Sequence, residues 1–284
     1  MGAEIKEGDN HFHAKIHGNF KSKHLYFHTA TTSGTENVII AALFAPGKTI
    51  IENANTRPEV INFINFLNKV GAKITYSTRI VEIEGVDKLY GGEFEIMPGR
   101  DEAMTYAILA GMTRGEICIK NFNLNYVQTD VSLLKQIGID IFEFSNDMYI
   151  SAKNKQLKPF SMATAPYPGI NSDMQPLFAA LAATIEGESI ITDMRFETRF
   201  QYVNEFKKMR INIKNYSNTC IIYGGRAIQG NRVIATDIRG GVALVLLGCV
   251  AENNTIIENS YQIDRGYIEI ASKLNYLGCR IKKE

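Results

Sequence analysis

Apolar positions along this chain switch between a helical and a strand period in a fixed order, and that order recurs. Val60, Ile61, Phe63, Ile64, Phe66, Leu67 and Val70 fall three and four apart, which gathers them on one broad helix face. Short β-branched runs, Thr49-Ile50-Ile51, Ile117-Cys118-Ile119, Ser189-Ile190-Ile191 and Thr255-Ile256-Ile257, read as strands. Ahead of each run lies an apolar segment rich in small residues. It opens on a polar pair that predicts a helix cap (Thr35-Glu36, Asp101-Glu102, Ser172-Asp173, Thr236-Asp237) and breaks at Gly47, Gly115, Gly187 or Asn253. Asn253 can replace glycine there because asparagine tolerates left-handed backbone.

A tail strand closes each unit: Val70-Gly71-Ala72-Lys73-Ile74, Ile137-Gly138-Ile139-Asp140-Ile141, Leu277-Gly278-Cys279-Arg280-Ile281 and a degenerate Met209-Arg210-Ile211-Asn212-Ile213. Further strands, Arg79 to Ile83 and Phe94 to Met97, fill the gap to the next copy. The polar pairs recur about every 65 to 70 residues, so the pattern is a βαβαββ repeat and not a helical solenoid. Met1-Gly2-Ala3-Glu4-Ile5 also reads as a tail strand, ahead of four complete units, and predicts that earlier repeats are missing.

The 284 residues, 45% of them hydrophobic, suffice for two domains with separate cores. A formal net charge of +1 gives no global field to attract nucleic acid or membrane. The longest apolar stretch, Val242 to Val250, is too short to span a bilayer, and the charged start is no signal peptide, so a cytoplasmic location is expected. The four cysteines lack metal-ligand spacing and predict reduced, buried thiols. His11 and His13 share a strand face, but no carboxylate or cysteine nearby completes a site, and we expect neither metal nor cofactor.

Candidate chemistry lies at the helix starts, where backbone N–H groups and the positive end of the helix dipole favour anions. Asp173 follows Thr164-Ala165-Pro166-Tyr167-Pro168-Gly169-Ile170-Asn171-Ser172, whose prolines and glycine predict a presenting loop. Asp237 stands two residues before Arg239, and Asp264-Arg265 forms a further pair. The planar guanidinium suits phosphate and carboxylate because it donates two parallel hydrogen bonds. From the residues alone, intrachain ion pairs that fix loops are the safer reading of the same aspartates and arginines.

Several stretches resemble motifs of the UDP-N-acetylglucosamine 1-carboxyvinyltransferases, members of the enolpyruvyl transferase family. They are Gly34-Thr35-Glu36-Asn37 with Ile51-Glu52-Asn53-Ala54, Thr164 to Gln175, Phe196-Glu197-Thr198-Arg199-Phe200, Ala235-Thr236-Asp237-Ile238-Arg239 and Ile263-Asp264-Arg265-Gly266-Tyr267. The resemblance implies an inside-out α/β barrel built of repeats, six in the family and three per domain. Residues 1–96 would be the C-terminal part of the first domain and residues 97–284 the second. It also implies transfer of the enolpyruvyl group of phosphoenolpyruvate to the 3′-hydroxyl of UDP-N-acetylglucosamine, the first committed step of peptidoglycan synthesis.

By the same resemblance Asp173 is the proposed base, Asp237 the second active-site aspartate and Arg265 the arginine that engages phosphoenolpyruvate. Arg199 and Arg239 match arginines near the cleft, while Thr31, Thr32 and the backbone at Arg195 match positions lining the uridine and diphosphate. The family's reactive cysteine, flexible loop and lysine-asparagine pair have no counterpart, which predicts that this chain alone is inactive. The alternatives are a subunit complemented by a separate N-terminal chain, and a relative of 5-enolpyruvylshikimate-3-phosphate synthase or RNA 3′-terminal phosphate cyclase. Gly99, Ser33 and Gln262 depart from the usual aspartate, glycine and histidine.

Overall fold

The computed structural model describes residues 1–284, which divide into two compact units, Met1–Met97 and Pro98–Glu284. The first unit opens with an exposed antiparallel hairpin of β1 (Ala3–Gly8) and β2 (His11–Ile16). Then follow β3 (His24–Tyr26), α1 (Thr32–Ala42), β4 (Lys48–Glu52), α2 (Pro58–Lys69), β5 (Lys73–Ser77) and β6 (Ile80–Glu84). The strand order in their sheet is β3-β4-β6-β5, with a parallel pair followed by antiparallel neighbours. Val60, Ile64 and Leu67 of α2 face the core with Ile39, Ile51, Ile74, Val81 and Ile83, while Ile61, Phe63 and Phe66 are half-buried at its edge.

The second unit contains α3 (Arg100–Thr113), β7 (Glu116–Ile119), α4 (Gln128–Ile137), β8 (Asp140–Phe144) and β9 (Asp147–Ser151). Next come β10 (Ser161–Ala163), α5 (Gln175–Ala183), β11 (Gly187–Thr192), α6 (Tyr202–Lys208), β12 (Asn212–Tyr216) and β13 (Thr219–Gly224). The chain ends through β14 (Arg232–Ile234), α7 (Ile238–Val250), β15 (Ile256–Glu258), α8 (Tyr261–Asp264) and α9 (Ile270–Tyr276). Its sheets run β7-β9-β8, β10-β11-β13-β12 and β14-β15. The four-stranded one therefore repeats the order and directions of the sheet in the first unit.

Helices α3, α5 and α7 pack on one another, and α5 is buried on every side. A helix apolar all round must lie inside, so the helices form the centre and the sheets the outside, which is the inside-out arrangement expected. No sheet closes on itself. In each unit a glycine lets a strand end close against the C-terminal end of a helix: a Cβ at Gly85, just past β6, would stand 1.8 Å from the carbonyl oxygen of Ala45 after α1, and one at Gly224, ending β13, 2.1 Å from that of Ala182 in α5. No helix is long and apolar enough to cross a membrane.

Several local expectations fail for physical reasons. Phe94 to Met97 forms no strand, because the Phe94 ring packs edge-on against Phe66 of α2, 5.6 Å between centroids, and the Met97 amide bonds Asn62. Leu277 to Ile281 forms none either, since no return strand lies beside it as β6 lies beside β5. It nonetheless keeps the clasp of its equivalent: Asn275 exchanges two 2.8 Å bonds with the Ile281 backbone, as Asn68 does with that of Ile74. The left-handed residue after α3 is Arg114 (φ 53°) and not Gly115, whereas Asn253 (φ 67°) is left-handed as expected. Cys118 is exposed on the outward face of β7, while Cys220 is buried and Cys249 and Cys279 are half-buried.

Candidate active site

Three loops of the second unit bring the site together at the helix starts. Asn171 caps a single 3₁₀ turn, Ser172–Met174, that leads into α5 and holds Asp173 ahead of the helix. Arg199 comes from the turn after β11, and Arg239 from the first turn of α7. Arg199 Nη1 donates to Asp173 Oδ1 at 2.6 Å and to Ser172 Oγ at 3.3 Å. Arg239 reaches Asp173 Oδ2 with Nε at 3.4 Å and Nη2 at 3.3 Å. Its Nη2 also bonds Asp101 Oδ2 on α3. Burial alone would raise the Asp173 carboxyl, but the charges of Arg199 and Arg239 outweigh it and hold the group below the usual carboxylate range.

A hydrogen-bond relay stands behind Arg239. The Thr105 hydroxyl donates to the Asp101 carbonyl at 2.7 Å, so the Tyr267 hydroxyl, 2.7 Å from Thr105 Oγ1, donates to Thr105 and accepts from Arg239 Nη1 at 3.1 Å. The Tyr267 ring lies 5.4 Å from the same guanidinium. Asp237 caps α7, accepting the Arg239 and Gly240 amides at 2.9 Å each. It is the one residue of the four polar pairs that caps as expected. Thr31 caps α1, Gly99 precedes α3 without a side-chain bond, and Asn171 takes the cap before Asp173.

A buried carboxylate that pattern reading missed ties two of these loops together. Asp193, fully buried just after β11, accepts the Thr164 hydroxyl at 2.9 Å, the Ser172 hydroxyl, and the amides of Arg195 at 2.9 Å and Phe196 at 3.0 Å. It therefore fixes both the approach to Asp173 and the turn carrying Arg199. The Arg195 and Arg199 guanidiniums lie 5.4 and 5.5 Å from the Phe196 ring, which is 45% exposed.

Other expected residues fall outside this cluster. Arg265 is exposed at the end of α8 and bonds Gln262 Oε1 at 2.8 Å, while its neighbour Asp264 pairs with Lys283 at 2.7 Å. Thr31 and Thr32 belong to the first unit. Thr31 accepts the Gly34 amide at 3.4 Å, and Thr32 accepts the Asn55 side chain at 3.1 Å. Within the second unit the arrangement sets two guanidiniums around one mostly buried carboxylate, a geometry that suits an anionic reactant beside a base.

The profile of the EPSP synthase (3-phosphoshikimate 1-carboxyvinyltransferase) family matches residues 1–274, and the chain belongs to that family. Over all 284 residues it is 39% identical to the UDP-N-acetylglucosamine 1-carboxyvinyltransferase of Coxiella burnetii (strain RSA 493 / Nine Mile phase I), of which it spans 65%. It is 37% identical to that of Aeromonas hydrophila, spanning 68%. The enolpyruvyl transferase NikO from Streptomyces tendae shares the fold at a TM-score of 0.89 and 19% identity, over 99% of this chain and 69% of that one. An EPSP synthase from Acinetobacter baumannii superposes at 0.78 with 18% identity, again over 99% and 69%.

Proposed function

We propose that this chain carries the Asp173 side of a site that transfers the enolpyruvyl group of phosphoenolpyruvate to the 3′-hydroxyl of UDP-N-acetylglucosamine, in peptidoglycan synthesis. The observation that carries this reading is the Asp173 carboxylate held between Arg199 and Arg239 at the start of α5. The names of the relatives supply the substrate, and the Asp-Arg cluster supplies groups able to act on it. The chain spans 65% of the Coxiella relative, so the activity is proposed for this chain joined to the rest of such a protein.

In the first step Asp173 takes the proton of the 3′-hydroxyl as its oxygen bonds to C2 of phosphoenolpyruvate, while a proton from an acid outside this cluster arrives at C3. In the second a C3 proton leaves, the double bond re-forms and the C2–O bond to phosphate breaks. Arg199, Arg239 and Arg265 offset the charge on the carboxylate and phosphate through both steps. Asp237 acts here through Arg239, whose amide it holds. Thr31, Thr32 and the Arg195 backbone are assigned to the uridine and diphosphate.

The test is a chimera in which the N-terminal portion of the Coxiella relative precedes this chain, assayed for phosphate release dependent on UDP-N-acetylglucosamine. The chimera should turn over, the isolated chain should not, and Asp173→Asn should slow the chimera about 100-fold or more. Near-normal turnover by the Asn variant would remove Asp173 as the base.

A further inference from the structure

The two arginines on Asp173 are held very differently. The Arg239 guanidinium is held by the Asp101 carboxylate on α3 and by the hydroxyl and ring of Tyr267 after α8, and Asp237 caps its backbone amide. Its side chain is only 15% exposed. Arg199 stands on a turn, and its guanidinium bonds only Asp173 and Ser172 beside the exposed Phe196 ring. We propose that Asp101 is a positioning residue which, with Tyr267, makes Arg239 the stationary member of the pair, leaving Arg199 as the member that an anionic substrate group draws off Asp173.

This rests on reading Asp173 as the base and gives that reading a trigger. A mostly buried carboxylate losing its closer cation gains proton affinity, because desolvation disfavours the charged form. The base would thus be held ionised until the anion arrives, then strengthened by the same event. Asp101 keeps Arg239 from replacing the lost contact, since its own carboxylate competes for the Nη2 that also faces Asp173. The charged and titratable groups around Asp173 are Arg199 on its turn, Arg239 with its cap Asp237, Asp101 on α3, Tyr267 after α8, and Asp193 behind Ser172.

The experiment uses this chain as it stands, with carbon-13 in the aspartate carboxyls and nitrogen-15 in the arginines. In Asp101→Asn the Arg239 Nε–H should exchange with solvent faster, approaching the rate of Arg199, and added inorganic phosphate should then shift both arginines, because the group holding Arg239 is gone. An unchanged Arg239 exchange rate in the folded variant overturns the proposal. If that variant does not fold, the unaltered chain still decides. Its Arg239 Nε–H should exchange with solvent more slowly than that of Arg199, and added inorganic phosphate should shift Arg199 and raise the Asp173 midpoint while Arg239 holds. Equal exchange rates, or phosphate moving Arg239 alone, would overturn the assignment. None of these readouts needs turnover, so an inactive chimera would sink the functional reading while the arginine assignment stands or falls by exchange and titration.

Discussion

Asp193 accepts the Thr164 hydroxyl at 2.9 Å with its own side chain out of solvent, and so ties the strand leading to the Asp173 loop to the turn that carries Arg199. Four donors converge on this one carboxylate. Asp193→Ala would leave buried hydroxyls and amides without an acceptor and should cost about 3 kcal/mol in urea unfolding. A loss below about 1 kcal/mol would show that other groups hold the two loops together.

Asp173 also makes a signed prediction for stability against pH. Its folded carboxyl lies below the unfolded value because the two guanidiniums outweigh burial. The stabilisation is therefore present above the unfolded carboxylate pKa and is lost as pH falls through the depressed folded one. The stability difference between the unaltered chain and Asp173→Asn should shrink as the solution is acidified through that window. A difference that stays constant or grows on acidification would contradict the ion-pair account.

Arg265 separates structure from chemistry. It is exposed and bonds only Gln262, so Arg265→Ala should change the unfolding free energy of the chain by less than about 0.5 kcal/mol. In the chimera the same change should lower kcat/KM for phosphoenolpyruvate about 30- to 1,000-fold, the equivalent of about 2 to 4 kcal/mol. Unchanged kinetics with that substrate would remove Arg265 from its assigned role.

Asn68 offers a test of the repeat itself. Its side chain both donates to and accepts from the Ile74 backbone at 2.8 Å, closing the turn between α2 and β5. Asn68→Ala should cost about 1 to 2 kcal/mol, and hydrogen exchange should report the loosening first at residues 71–77. Loosening elsewhere first would mean that the clasp does not hold this turn.

Period and punctuation made much of the architecture legible. The apolar face of α2, the β-branched strands and the small-residue helices all lie where the pattern puts them, because burial selects those residues directly. Caps were read less well, since a polar pair near a helix start fits several adjacent positions and only Asp237 took the cap. Phe94 to Met97 lies against α2 in place of a strand, through the Phe94 ring on Phe66 and the Met97 amide on Asn62. Among the site residues, Asp173, Arg199 and Arg239 were named by motif and meet in space, but Asp101 was read as part of a cap. It stands 138 residues from Arg239, a separation at which no local pattern reports a pairing. Tyr267 escaped for the same reason, its partners Thr105 and Arg239 lying on α3 and α7, and Asp193 did so for the Thr164 and Ser172 hydroxyls, 29 and 21 residues away, although its bonds to the Arg195 and Phe196 amides are local.

Helices α3, α5 and α7 meet in the middle of the second unit and leave α5 no solvent face at all. Such a centre admits change only by swaps of matched volume, because any added group must displace a neighbour. The turns ahead of the helices, where Asp173, Arg199 and Asp237 stand, are held instead by a few hydrogen bonds, above all those to Asp193. Side chains on those short turns can thus change while the helical centre stays unaltered, provided the bonds to Asp193 are kept.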